Sequence, residues 1–239
     1  SFEAAMAESG GSTMFLAQRD SQLGRGESIS DTAKVLSKMV DAVVIRTFEQ
    51  SAIEQFAKDS CVPVINGLTE DYHPCQILAD VVTFFEFRGP IQGKTVAWVG
   101  DGNNMCNTYI QAARKLGFNL NIAAPPGYEP DFNESPEIRL FDFPSQAVSG
   151  ADLVVTDVWL SMGSENEEEE RKAIFESYHV DEKLMSIANS DALFMHCLPA
   201  HVGEEVSEGV LRHPKSVVWE EAGNRLHAQK ALLELVFQR

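Results

Sequence analysis

Basic residues are scarce in this 239-residue chain: 19 Lys and Arg stand against 36 Asp and Glu, a net charge of -17. That balance argues against nucleic acid or an anionic membrane surface as a partner, because both are held by long-range attraction to positive charge. If the substrate is an anion, a few local cations must hold it against the global field. Long apolar runs are lacking too. No stretch reaches the roughly 18 unbroken apolar residues of a membrane helix. The four cysteines, Cys61, Cys75, Cys106 and Cys197, are scattered and include no C-x-x-C pair. Structural zinc and a disulfide framework are therefore disfavoured, and free thiols in a reducing cytoplasm are expected. The opening Ser1-Phe2-Glu3-Ala4-Ala5-Met6 has no basic region and no small-residue cleavage site, so it is not a secretory signal. It also lacks an initiator methionine and reads like the interior of a helix, so the chain is expected to be cut from something longer.

What is present suits a soluble globular protein of one or two domains, with 44% hydrophobic residues. No internal repeat or long linker interrupts it. Ser30 is placed to cap a helix whose apolar residues Ala33, Leu36, Met39 and Val40 fall at helical spacing. Ala42 to Ile45 reads as a buried strand, and Ser51 with Glu54 as the capping box of the next helix. Val62 to Ile65 reads as a second strand, closed by the turn pair Asn66-Gly67. Gln76 to Phe87 predicts a long helix, ended at Gly89-Pro90, which marks the domain boundary. A second alternating series follows. Strands are expected at Thr95 to Val99, Leu120 to Ala124, Leu153 to Thr156, Leu193 to His196 and Val217 to Trp219. Helices fall between them, such as Asn107 to Leu116 with Gly117 as terminator, and a last helix runs from about Leu226 to Phe237. This alternation predicts an α/β fold with parallel sheets and helices on both faces. Two segments stand out. Pro125 to Pro136 is a thin connection for a parallel crossover, and Glu165 to Glu170 is an acidic run expected in solvent.

In open parallel sheets, ligands bind beyond the carboxyl ends of the strands. Polar clusters gather after the expected strands. They are Arg46; Asn66-Gly67-Leu68 with His73-Pro74-Cys75-Gln76; Gly100-Asp101-Gly102-Asn103-Asn104; Asp157 with Ser161-Met162-Gly163; His196-Cys197-Leu198-Pro199; and Glu220 to Arg225. Gly100-x-Gly102 after a strand suggests a dinucleotide fold, but Met105 stands where the third glycine belongs. The turn therefore reads as a close backbone approach to a small ligand. Asn103 and Asn104 offer amide donors for a carboxylate, or serve as ordinary turn residues. Arg46 can grip phosphate or carboxylate in a two-pronged way. His73, kept extended by Pro74, could donate to a carbonyl oxygen gaining charge, or sit as a satisfied core histidine. Gln76 falls on the first turn of its helix, where backbone N–H groups favour anions. Cys197 is open to several roles: nucleophile, ligand, hydrogen-bonding group or small buried residue. His196, Cys197 and His201 suggest zinc, but neighbours on a strand face opposite ways, so a metal site is discounted.

Together these clusters are similar, in kind and order, to those of the ornithine carbamoyltransferases, within the aspartate/ornithine carbamoyltransferase family. The resemblance runs over essentially the whole chain. His-Pro-Cys-Gln at 73–76 is shared with the aspartate enzymes, whereas Ser-Met-Gly at 161–163 and His-Cys-Leu-Pro at 196–199 point to ornithine. The chain looks like the bacterial biosynthetic branch. The resemblance implies two domains: residues 1–88 as the later part of a carbamoyl phosphate domain, 89–219 as an ornithine domain, and 220–239 as a helix returning to the first. It implies that Arg46, His73, Gln76 and Arg225 hold carbamoyl phosphate, with the backbone at Cys197 and Leu198 accepting from its amino group. Asn104, Asp157, Ser161 and Met162 would hold the amino-acid end of ornithine, with Leu68 lining the site. Cys197, oriented by Asp157, would sit beside the side-chain amine. It further implies a cytoplasmic homotrimer or multiple of trimers in arginine biosynthesis, with Gln22 reaching a neighbour's site and no cofactor or metal. Two departures stand out. The family's Ser-Thr-Arg-Thr-Arg loop is expected just before Ser1 and does not appear, and Gly223 replaces a glutamate usual before Asn224.

The implied reaction is acyl transfer. An uncharged amine attacks the carbamoyl carbon, the carbonyl oxygen becomes negative and phosphate leaves. Such chemistry needs orientation and oxyanion stabilisation rather than a nucleophilic residue. The rivals are a carbamoyltransferase for another amine such as putrescine, an inactive truncated scaffold, and a dehydrogenase, the last disfavoured by the broken glycine pattern.

Overall fold

The computed structural model describes residues 1–17, 26–133, 135–160 and 168–238. The chain divides into two compact units, one of Ser1–Leu78 with Arg225–Arg239 and one of Ala79–Asn224. Both divisions fall inside helices, namely α4 (Pro74–Arg88) and α10 (Val218–Phe237).

The first unit holds α1 (Phe2–Glu8), α2 (Ile29–Leu36), β1 (Val43–Arg46), α3 (Gln50–Asp59) and β2 (Val64–Leu68). The cap of α2 is Ser28, not Ser30: its Oγ accepts from the Asp31 N–H at 3.0 Å, and Ser30 lies within the helix. The expected capping box at Ser51 and Glu54 does not form either, because α3 starts earlier, with Glu49 at its N-cap. Strands β1 and β2 pair in parallel. Asn66-Gly67 is part of β2 rather than a turn. A Cβ on Gly67 would come within 3.1 Å of the Ile45 carbonyl oxygen, so glycine there permits close strand approach. A small core joins Ala5, Ile65, Cys75 and Leu233, with Phe2, Met6, Leu226 and Leu232 packed against it.

The second unit is built on a five-stranded parallel sheet: β3 (Thr95–Val99), β4 (Asn119–Ala123), β5 (Ile138–Phe141), β6 (Leu153–Thr156) and β7 (Leu193–His196). The strand order is β5-β4-β3-β6-β7. The chain winds outward from β3 in one direction, then returns to β6 and winds in the other. Helices flank both faces. Ala97 and Val99 of β3 belong to a cluster with Ala147 and Val148 of α6 (Pro144–Val148), Phe175 and Tyr178. The alternate residue Trp98 meets Tyr109 of α5 (Asn104–Leu116), ring centroids 5.9 Å apart. Helix α5 ends at Gly117 with φ 71°, a left-handed cap that suits glycine. Helix α7 (Glu168–Phe175) starts within the acidic run, and Glu169 and Glu170 are exposed. Two short helices, α8 (Glu182–Met185) and α9 (Glu208–Leu211), complete the unit.

Two sequence expectations fail here. Between β4 and β6 lies the unforeseen strand β5, so the thin segment at 125–136 connects neighbouring strands β4 and β5. Val217 to Trp219 is not a strand. Val217 N–H donates to the Phe194 carbonyl at 3.0 Å beside an isolated bridge, and the chain then enters α10.

Candidate active site

In the first unit, β1 and β2 finish side by side. A register shift between Ile45 and Arg46 leaves Arg46 opposite Leu68, so both stand at the carboxyl edge of the sheet. Gln50, at the start of α3, stitches the loop after β2: its Oε1 accepts from Asn66 Nδ2 at 3.1 Å and Thr69 Oγ at 3.0 Å. Thr69 in turn accepts the Tyr72 N–H at 3.0 Å and closes a tight turn that delivers His73 to the start of α4. His73 and Gln76 are buried, and the Gln76 N–H donates to the His73 carbonyl at 3.1 Å.

His73 is held far below its ordinary value, at about 4 rather than 6.5. Burial is the main cause, followed by the positive charges of Arg225 and Arg46. At neutral pH the ring is therefore uncharged and can donate one hydrogen bond without titrating. The structure thus brings Arg46, His73 and Arg225 within electrostatic reach of one another. Cys75 plays a different part. It packs in the core, its thiol donates to the Asn66 carbonyl at 3.3 Å, and burial pushes it up to about 11.

In the second unit, the winding reverses between β3 and β6, and the crevice at such a switch point is the favoured ligand site. Gly100–Asn104 follows β3 and Asp157 follows β6. Gly100, with φ 134°, turns the chain out of the sheet. Gly102 corrects an expectation: its close approach is to the chain itself, not to a ligand. A Cβ there would lie 2.3 Å from the Pro130 nitrogen, and its N–H donates to the Tyr128 carbonyl at 2.8 Å.

Asn103 has partners within the chain. Its Oδ1 caps α5, accepting from the N–H groups of Met105 at 2.9 Å and Cys106 at 3.2 Å. Its Nδ2 donates to Asp157 Oδ2 at 2.8 Å. Asn104 follows as the first residue of α5, at the positive end of a 13-residue helix. Asp157 Oδ1 accepts from the Val158 N–H at 2.8 Å and from the Cys197 thiol at 3.2 Å. Burial and then the Asp157 charge push Cys197 well above the usual thiol value, so the sulfur keeps its proton. Of the roles open to Cys197, hydrogen-bond donor to Asp157 is the one this geometry carries.

The 196–199 segment is fastened from three sides. The His196 N–H donates to Glu221 Oε2 at 3.0 Å. Its ring Nε2 meets Glu205 Oε1 at 2.9 Å, and its Nδ1 accepts from the Leu198 N–H at 2.9 Å. The ring is thereby set as the Nε2–H tautomer. Leu198 sits at φ 58°, a left-handed conformation that costs a leucine on the order of 1–2 kcal/mol. The fold tolerates it where the neighbouring hydrogen bonds demand it. Strand β7 ends at His196, so the alternation of a strand does not extend to Cys197. Ligand-type atoms of Asp157, His196 and Cys197 lie within 4.8 Å of one another, as do those of His201, Glu204 and Glu205. In the first group the histidine nitrogens meet Glu205 and the Leu198 N–H, and the thiol donates to Asp157.

Of the remaining expected residues, Arg225 stands on α10 in the first unit. Its neighbour Asn224 ties α10 to α4 within the second unit, donating to Thr83 at 2.9 Å and Glu86 at 2.7 Å. Gly223 is exposed, with nothing within 4 Å of an added Cβ. Gln22, Ser161 and Met162 lie outside the described residues. The sequence reading missed three partnerships: Asn103 with Asp157, His196 with Glu205, and Tyr109 donating to Asp80 at 2.8 Å.

Residues 1–86 match the family described as aspartate/ornithine carbamoyltransferase, carbamoyl-P binding domain, and residues 92–236 its Asp/Orn binding domain. Among curated relatives, the ornithine carbamoyltransferase of Burkholderia mallei is 59% identical over 241 aligned positions, covering 99% of this chain and 78% of that protein. That of Acinetobacter baumannii is 58% identical with the same shares covered. Among solved structures, ornithine carbamoyltransferase from Burkholderia thailandensis is 57% identical with a TM-score of 0.90, covering 98% of this chain and 79% of that one. The Pyrococcus furiosus enzyme is 48% identical with a TM-score of 0.92, covering 98% and 78%. On sequence, on fold and on the residues gathered at its strand ends, the chain belongs to the aspartate/ornithine carbamoyltransferase family.

Proposed function

We propose that this protein transfers the carbamoyl group of carbamoyl phosphate to the side-chain amine of L-ornithine, giving L-citrulline and phosphate. The observation that carries the reading is His73, held uncharged near two arginines. The phosphate of an acyl phosphate needs positive charge, and its carbonyl oxygen needs a donor that keeps its proton. Arg46 and Arg225 supply the first, and neutral His73 the second. Gln76 and the backbone carbonyls at Cys197 and Leu198 complete the recognition of carbamoyl phosphate. As the amine attacks, charge gathers on the carbonyl oxygen, where a single well-placed donor is worth ~10²–10³ in rate.

Asp157, Asn104, Ser161 and Met162 receive the amino-acid end of ornithine, and Leu68 lines the site. The side-chain amine of ornithine is normally protonated, with a pKa of roughly 10. A protonated, uncharged Cys197 beside it offers no anion to stabilise the ammonium form. The attacking species is the free amine, and the leaving phosphate takes up the proton it sheds. No covalent enzyme intermediate is required. The protein acts in the cytoplasm as a homotrimer or a multiple of trimers, in arginine biosynthesis, with Gln22 contributing to a neighbour's site. Relatives named ornithine carbamoyltransferase support the choice of amine.

The test is acceptor-dependent release of phosphate from carbamoyl phosphate, with ornithine, putrescine and aspartate offered in separate reactions. Ornithine is expected to exceed both others in kcat/KM by at least a hundredfold. Equal or better use of putrescine would overturn the assignment of an amino-acid subsite.

A further inference from the structure

We infer that Asn103 is a positioning residue for ornithine recognition, acting through Asp157. The inference rests on the proposed role of Asp157. Asn103 divides its amide between two tasks. The oxygen caps α5 by accepting from Met105 and Cys106, and the nitrogen donates to Asp157 Oδ2 at 2.8 Å. Asp157 lies 54 positions away in sequence, at the end of β6, the strand paired beside β3.

The two tasks lock each other. Capping fixes which end of the amide points at the helix, so the NH2 end must face β6. A flipped amide would set an oxygen against the Asp157 carboxylate and an NH2 against two helix N–H groups. The orientation is therefore unambiguous, and Asp157 receives a donor whose place is set by the helix itself. With the Val158 N–H and the Cys197 thiol on Oδ1, the carboxylate has both oxygens tethered. A buried carboxylate held this way presents its remaining lone pairs in fixed directions. That is what recognition of a substrate's ammonium group requires.

The two tasks can be separated by substitution. Asn103→Ser keeps a capping oxygen but has no NH2 group, whereas Asn103→Ala loses both. Asp157→Asn, assayed alongside, tests the role of Asp157 itself. Asn103→Ser is expected to keep Tm within about 2 °C of the parent, because Ser caps nearly as well as Asn. Its KM for ornithine should rise about tenfold, the size of one lost charge-assisted hydrogen bond, with KM for carbamoyl phosphate unchanged. Asn103→Ala should show the same rise in KM with a lower Tm. Parental KM for ornithine in Asn103→Ser, with Asp157→Asn impaired, would overturn the inference. Parental KM in Asp157→Asn would instead remove the reading on which it rests.

Discussion

Lowering the pH toward 4 should cost this protein stability through one identifiable histidine. His73 is buried, and its folded value is about 4 against 6.5 in the unfolded chain. Between those limits the unfolded chain binds a proton that the folded protein refuses. Stability is then full above pH 6.5 and falls as pH drops through 6.5 toward 4, with no further loss from this group below that. A gap of about 2.5 units corresponds to roughly 3 kcal/mol at most, at 1.36 kcal/mol per unit. The assay is urea unfolding at pH 7.5, 6.0 and 5.0 for the parent and for His73→Asn. The chain has six histidines, and subtracting the two pH profiles isolates this one. The parent should lose about 2 kcal/mol more than the variant between pH 7.5 and 5.0. Side-chain NMR of the folded parent should show His73 still neutral at pH 5.5. Arg225→Ala should move its midpoint upward more than Arg46→Ala does, since Arg225 has the larger effect on the ring. A His73 midpoint near 6.5, or parallel stability profiles, would refute the claim that burial and two guanidinium groups hold the ring neutral.

Two glycines should respond in opposite senses. Gly102→Ala places a Cβ 2.3 Å from the Pro130 nitrogen and 2.6 Å from the Glu129 carbonyl carbon, so backbone must shift and thermal unfolding should show a clear loss of Tm. Gly223→Ala meets nothing within 4 Å in the interior of α10. It should stabilise by about 0.5–1 kcal/mol, read as a rise of a few degrees in Tm. An unchanged Tm in the first variant or a lowered Tm in the second would contradict these packing arguments.

The most legible parts were those with a single physical reading. Strands β3, β6 and β7 are short apolar runs between turn residues, and each occupies the residues expected. Ambiguity began where burial is mixed. Val217-Val218-Trp219 looks like a strand because it is apolar, but only Val217 pairs beside β7 before the helix begins. Strand β5 escaped notice because Arg139 breaks its apolar run. At the candidate site, residue types after strand ends could be read directly, and the similarity of motifs ordered them into roles. Partnerships could not be read. Nothing local in Asn103 reveals that its amide reaches Asp157, because the strand order brings them together. Gly102 was misread for the same reason: the backbone it approaches, at 129–130, is distant in sequence.

The two substrates fall to different residues, and calorimetry on a reciprocal pair of variants tests that division most directly. Arg46→Ala should weaken carbamoyl phosphate binding by at least tenfold. Asp157→Ala should leave carbamoyl phosphate binding within twofold of the parent and weaken ornithine binding, measured with carbamoyl phosphate site occupied by inorganic phosphate. The opposite pattern, with Asp157→Ala losing carbamoyl phosphate and Arg46→Ala losing only ornithine, would contradict it.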